Sequence, residues 1–338
     1  MEKQPPFWGS LFHPVNVGQV LTGVLGLGLP LLVGTLLGQH QAGVIAGFGG
    51  LALSTAGAGA NLRQGAADLA AAMIAGAAGF LAAALLPSDP WFLLLLPAVF
   101  FAAALLGGLS RRLARATTVF NLFTVIGLNV AVPEFHSLLL PGLFLCGAAA
   151  AFVFALALWP LRTMTDDGPR RTLSELWSRW KESLRTWPGW GYAFRVAAGS
   201  LSAVAALLLL PMGHPLWILL TVVTVVHRNI HHVPPRMFQR GVGTAAGVVF
   251  LVGLSLFPLS RGATAVLIAL LTALRVHLKD LNYLAFSAVM TVLVILMLDF
   301  GATLSYQTML DRLAGTVLGC VLAYTFGYQF WPKPRNRD

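Results

Sequence analysis

Charge is scarce in this chain of 338 residues: Asp, Glu, Lys and Arg together make up 10%, against roughly 25% in soluble globular domains. Acidic residues number only 12, and cysteine occurs twice. A soluble fold with an ordinary polar surface is thereby excluded. Hydrophobic residues reach 57%, so lipid must cover much of the chain. The backbone must then satisfy itself in helices or a closed barrel. Cys146 and Cys320 both lie inside apolar runs, which excludes a disulfide framework and reads as small buried side chains. Phosphate-binding loops, nucleophile elbows and zinc-protease motifs are missing. No enzymatic activity and no cofactor is expected. The N-terminal stretch has no small-residue cleavage site before the next apolar segment, so a cleavable signal is not expected either.

What the chain does have is long apolar runs of roughly 16–25 residues, the length of membrane helices rather than of barrel strands. Its 35 glycines suit close helix packing in lipid. The expected fold is an all-α polytopic membrane protein of about twelve spans. In the first half these fall near 16–38, 41–58, 63–86, 91–109, 116–132 and 138–160. In the second they fall near 193–210, 215–229, 240–258, 262–278, 283–299 and 309–331. Trp159-Pro160 and Trp331-Pro332 close the halves on the same note. Two like-oriented six-helix repeats follow, 1–160 and 193–338, joined by a linker at 161–192 and related by a pseudo-two-fold axis along the membrane normal.

The net charge of +10 suggests nucleic acid at first sight, but the basic residues are confined to alternate loops. One set of loops holds Arg63, Arg111, Arg112, Arg115, Arg228, Arg236, Arg240, Arg275, Lys279, Lys333, Arg335 and Arg337. The other has a single arginine, Arg261, with Asp89 and Glu134. Basic loops stay in the cytoplasm, which puts both termini and the linker there and makes nucleic acid an unneeded partner. The linker pattern predicts an amphipathic helix over 171–190. Leu173, Leu176, Trp177, Trp180, Leu184 and Trp187 share one face, Thr172 and Glu175 form a capping box, and Pro188 and Gly189 stop the helix. It reads as a cytoplasmic tether at the membrane surface, in contact with lipid.

The motif of greatest interest runs from His214 to Gly247: an apolar helix with Trp217 and Thr221, a basic loop with Arg236 and Arg240, and a second helix opening on Gly243, Thr244 and Gly247. Asp311, Arg312, Gly315, Thr316 and Gly319 lead the last span to Trp331-Pro332. This pattern resembles the repeat of the fusaric acid resistance family, which includes bacterial aromatic-acid exporters. The likeness is strong in the second half and degenerate in the first, which keeps Arg63 but has no tryptophan or Gly-Thr pair. It implies an inner-membrane exporter of aromatic or related carboxylic anions driven by the proton-motive force. A homo-oligomer or a separate efflux partner is compatible with it. The family is also similar to plant malate channels, so passive anion conduction by a fused channel dimer is one alternative. A non-transporting scaffold whose basic linker binds a partner or anionic lipid is another.

Read from the residues, Arg240 heads a helix and offers a carboxylate a guanidinium fork beside free backbone N–H groups. Arg236 lies one turn before it, and Thr244 and Thr221 supply hydroxyls. Arg63 occupies the matching place in the first repeat, so the two arginines are expected to face each other across the axis. Arg111, Arg112, Arg115, Arg275 and Lys279 read as topology anchors, and Asp68 as the counter-charge to Arg63. Asp311 and Arg312 break the symmetry, because the first repeat has Leu139 and Leu140 there. As ionisable groups within a span they are candidates for coupling or gating. His227, His231 and His232 form one histidine box. A di-metal centre needs several boxes, and the other histidines are isolated, so no metal site is expected. His227 remains a candidate for proton coupling near neutral pH. Asp299 reads as a helix end.

Overall fold

The computed structural model describes residues 15–54, 59, 61–87, 89–130, 138–162, 172–210, 213–214, 216–257, 259–279, 281–300 and 305–332. Expectations for Glu134, His13, His136, Lys333, Arg335, Arg337 and the start of the linker lie outside the described residues. Among the described residues every regular element is helical. Six helices precede the linker: α1 (Val17–Leu36), α2 (His40–Ser54), α3 (Leu62–Leu85), α4 (Leu96–Leu106, led in by a 3-10 turn at Pro90–Leu95), α5 (Arg111–Val130) and α6 (Leu139–Ala157). The linker helix is α7 (Leu173–Ser183). Six more follow: α8 (Trp187–Leu209), α9 (Leu216–Val225), α10 (Val233–Ser255), α11 (Arg261–Leu278), α12 (Tyr283–Leu298) and α13 (Tyr306–Tyr324), the last extended by a π turn at Thr325–Gln329.

The chain is an integral membrane protein: eight of these helices are long and apolar enough to cross a bilayer. The other helices on the twelve expected spans, α2, α4, α9 and α12, are shorter. Three of these short helices are also the most buried. Trp217 to Val223 of α9 and Thr291 to Met297 of α12 are each an unbroken buried run, as are Gly43 to Ser54 of α2. An apolar helix with no lipid-facing side needs no amphipathic stripe, and these three form the centre of the molecule. The long helices surround them and turn Leu36, Val249, Leu270 and Val317 outward.

Helix starts differ from expectation at two places, for one reason. The sequence suggests a stop at Pro188-Gly189 and a span that begins only near 240, yet Pro188 and Pro234 both lie in the first turn of a helix. Proline lacks an N–H that the first turn cannot use anyway, so it begins helices well. Trp187 therefore opens α8 rather than ending the linker helix, and α10 starts two turns ahead of Arg240.

Within the first six helices, α1 packs on α2 and α6, α3 on α5 and α6, α2 on α6 and α3, and α4 on α5. In the last six, α8 packs on α9 and α13, α10 on α12 and α13, α9 on α13 and α10, and α11 on α12. Contacts of α4 with α8, α1 with α11 and α5 with α9 join the two sets. Glycine permits the tightest of these approaches. A Cβ at Gly243 would lie 2.5 Å from the Leu284 carbonyl oxygen, so α10 and α12 meet backbone to backbone.

The linker helix has the expected Thr172–Glu175 capping box. It docks through Trp180, whose Nε1–H donates to the Leu105 carbonyl at 3.0 Å at the end of α4. Leu173 and Trp177 of its apolar face stay exposed.

Candidate functional site

Among the described residues, four arginines are buried in the second set of helices without a carboxylate partner, and two of them, Arg240 and Arg312, also lack a carbonyl to hold the guanidinium. Arg312, on α13, is 1% exposed, and its guanidinium carbon sits 4.2 Å above the ring of Trp217 on α9. Gly315 makes that stacking sterically possible, since a Cβ there would press on the Trp217 side chain. Arg240, in the third turn of α10, is also buried and interacts electrostatically with Arg312. Nε and Nη1 of Arg312, Nε of Arg240, Nε1 of Trp217 and Oγ1 of Thr316 are all buried and without a hydrogen-bond partner. The ion pairs between described residues join Asp68 to Arg112 and Arg115 instead. Unpaired buried charge costs several kcal/mol, and five unmet donors at one centre are the complement of an anion with acceptor oxygens.

A second feature lies beyond this centre. A cavity of about 230 Å³ is lined by Gln41, Asn129, His214, Asp299, Phe300 and Thr308, among others. It draws on α2 and α5 from the first set and on α12, α13 and the approach to α9 from the second. Thr308 is one turn from Arg312 on α13. At the opposite pole the two sets are tied by arginine. Arg275 of α11 donates to the Leu51 carbonyl at the end of α2 at 3.1 Å and to the Ser54 hydroxyl. Arg228 donates to the Ala104 carbonyl of α4 at 3.1 Å and lies over Tyr192 of α8. Arg195 gathers the carbonyls of His227 and Arg228 after α9.

The predicted residues divide accordingly. Arg240 and Arg312 come together, although Arg240 is well inside its helix and not at its head, so free N–H groups are not beside it. Arg63 is exposed in the first turn of α3, remote in depth from the buried Arg240. Asp68 belongs to Arg112 and Arg115, on α5, rather than to Arg63. Arg236 lies over the ring of Tyr283 at 5.1 Å. Thr221 spends its hydroxyl on the Trp217 carbonyl, and Thr244 faces Thr291 across the α10–α12 seam. Asp311 does not pair with Arg312. Its oxygens accept from the His214 backbone N–H at 3.1 Å and from Gln307 at 3.0 Å. His227 stacks on His232, and burial with the nearby Arg236 pushes its imidazole down to about 4. It is neutral across the physiological range, so it does not titrate near neutral pH as a free histidine would. Among the described residues no group of three His, Cys, Asp or Glu side chains could hold a metal.

Residues 201–329 match the fusaric acid resistance protein-like family. The matched segment contains Trp217, Arg240, Arg312 and Asp299, and every predicted site residue except Arg63. The chain is also similar to the inner membrane protein YccS of Escherichia coli strain K12, with 25% identity over 176 residues. That alignment covers 52% of this chain and 24% of the relative, so the chain matches about a quarter of the relative's length. No solved structure matches.

Sequence reasoning missed the roles of Arg275, Arg195 and Arg228. Arg228 and Arg275 lie where a positive-inside anchor is expected, and an anchor and a carbonyl clamp look alike in sequence. Arg195 carried a signal nonetheless, because it sits five residues past the Trp190 that opens an apolar run rather than in a loop.

Proposed function

We propose that the protein is a bacterial inner-membrane transporter that exports small organic anions, aromatic or related carboxylates, with coupling to protons. The observation that carries this is the Arg240–Arg312 centre, two buried guanidinium groups with unmet donors that feel each other's charge, one of them stacked on Trp217. A carboxylate would take the donors in the bidentate manner of Arg–carboxylate pairs, and the indole offers an aromatic ring a surface. The family match and the name of the relative support a membrane setting.

Two parallel six-helix repeats are part of the proposal. The packing pairs of α1–α6 recur among α8–α13, and the joining contacts α4–α8 and α1–α11 exchange roles. Gly79 rests on Phe120 and Thr124 as Gly243 rests on Leu284 and Ala288. By that register the counterpart of Arg240 is Gly76, capped by Phe144, where the first half has a ring cluster of Phe80, Phe123 and Phe144. The anion site therefore belongs to one half only. The pole with most of the arginines would face the cytoplasm.

A carrier fits better than a continuous pore. One pole is tied shut across the halves by Arg228 and Arg275, and the other opens into the cavity. The test is flux in proteoliposomes, using benzenesulfonate, which stays ionised, beside benzoate. Gradient-dependent efflux is expected. Efflux indifferent to a pH gradient would mean a channel, and no flux of any organic anion would mean a scaffold.

A further inference from the structure

The cavity opposite the arginine ties has its own chemistry. Among the described residues its walls join apolar Val44, Ile45, Met297, Leu298 and Phe300 to polar Gln41, Asn129, His214 and Thr308, and the one carboxylate is Asp299. Oδ2 of Asp299 is buried without a hydrogen-bond partner. Asp299 is the C-cap of α12, and the groups around it are few. His214, ahead of α9, interacts with it electrostatically, and the Ser305 backbone lies against it. From α2, His40 presents a ring whose Nδ1 is likewise unpartnered, edge-on to Phe300. From α13, Asp311 is already held by Gln307 and the His214 backbone, and Arg312, stacked on Trp217, does not line the cavity. Among the described residues no arginine or lysine lines the cavity.

The cavity is bounded by both sets of helices, so any approach of one set to the other at this pole would shrink it. Asp299 keeps the Ser305 backbone N–H on one oxygen, and closure would strip water from the unpartnered Oδ2. A carboxylate with an unmet oxygen in such a place is costly, and protonation removes most of that cost. We propose that Asp299 is a proton-binding site that decides whether this cavity can close, with His214 as its electrostatic partner. Acid at this face favours closure, and alkali holds the cavity open. A proton fits better than a sodium ion, which would want five or six oxygen ligands that the cavity does not converge. The physiological direction rests on the transport function proposed above, because closure of an outward cavity is the return step of an export cycle.

The test reads closure directly. Spin labels on Leu138→Cys, at the N-cap of α6, and Leu210→Cys, at the C-cap of α8, report from the exposed helix ends of the two sets, in a Cys146→Ala, Cys320→Ala background. The full chain is held in phosphatidylcholine–phosphatidylglycerol nanodiscs. The short-distance fraction should grow as pH falls from 8 to 5, by up to about tenfold in ratio per pH unit for one linked proton. Asp299→Asn should show the short distance at every pH, whereas sodium at fixed pH should change nothing. A wild-type distance indifferent to pH, or an Asp299→Asn variant that still responds, would overturn the proposal. If Asp299→Asn does not fold, Asp299→Glu and infrared difference spectra decide. A carboxylic C=O band must appear in step with the distance change and move with the substitution. Neither measurement uses flux. Acid closure in a protein that moves no anion would leave this site standing and sink transport. Normal flux with a fixed distance would do the reverse.

Discussion

Arg312 and Trp217 show how much a single pair can organise. The stack sits nearly a hundred positions apart in sequence, and only the Gly315 approach brings it together. Trp217 was legible as a motif residue, and Arg312 as an unusual charge within a span. Their contact was not, since a one-dimensional pattern carries no cross-helix distance. Replacing Arg240 by Lys keeps the charge and loses the planar fork. Benzenesulfonate efflux should fall at least about tenfold, the 1.4 kcal/mol of one good charged hydrogen bond, with expression intact. Arg111→Lys, at the exposed start of α5, should transport normally. Equal efflux from the two variants would make Arg240 a topology signal only. His227 gives a pH prediction with a definite sign. Its folded value, about 4, lies below the 6.5 of a free imidazole. The unfolded chain therefore binds a proton that the folded chain refuses in that window, and stability drops as pH falls from 6.5 towards 4. The melting temperature of His227→Gln should decline less over that range than that of the wild type.

At the scale of elements, packing rather than propensity decides which glycines matter. Gly241 and Gly243 are neighbours on α10, yet a Cβ at Gly241 meets nothing within 4 Å, while one at Gly243 collides with α12 backbone. Gly241→Ala should leave the melting temperature unchanged or raise it, by the usual ~0.5–1 kcal/mol of a helical glycine. Gly243→Ala should lower it by several degrees. Matching effects from the two would show that α10 and α12 do not touch there. Thr172→Ala should fray α7, with the ~1 kcal/mol of a lost cap seen as several-fold faster amide exchange over Leu173 to Trp177. The eight long spans were readable because hydropathy determines them. Their starts at Trp187 and Val233 were not, because a proline that breaks a helix and one that begins it are the same letter.

For the molecule as a whole, the arginine pole and the cavity pole should face opposite sides of the membrane. In a Cys146→Ala, Cys320→Ala background in intact cells, Leu256→Cys at the cavity pole should react with an impermeant thiol reagent. Ser178→Cys on the linker helix should react only after lysis. Labelling of Ser178→Cys from outside would invert the molecule. The central helices carry one more consequence. Ten residues of α9 rise about 15 Å, half of a hydrocarbon core of ~30 Å. With a cavity at one end of that short element, and water admitted at the other when the arginine ties release, the insulating layer along α9 would be thinner than the bilayer around it. The transmembrane voltage would fall across that layer, steepening the local field about twofold. A monovalent anion crossing it would pick up nearly the full ~2.3 kcal/mol per 100 mV in one short step. In a cell with a negative interior, that electrical work points outward.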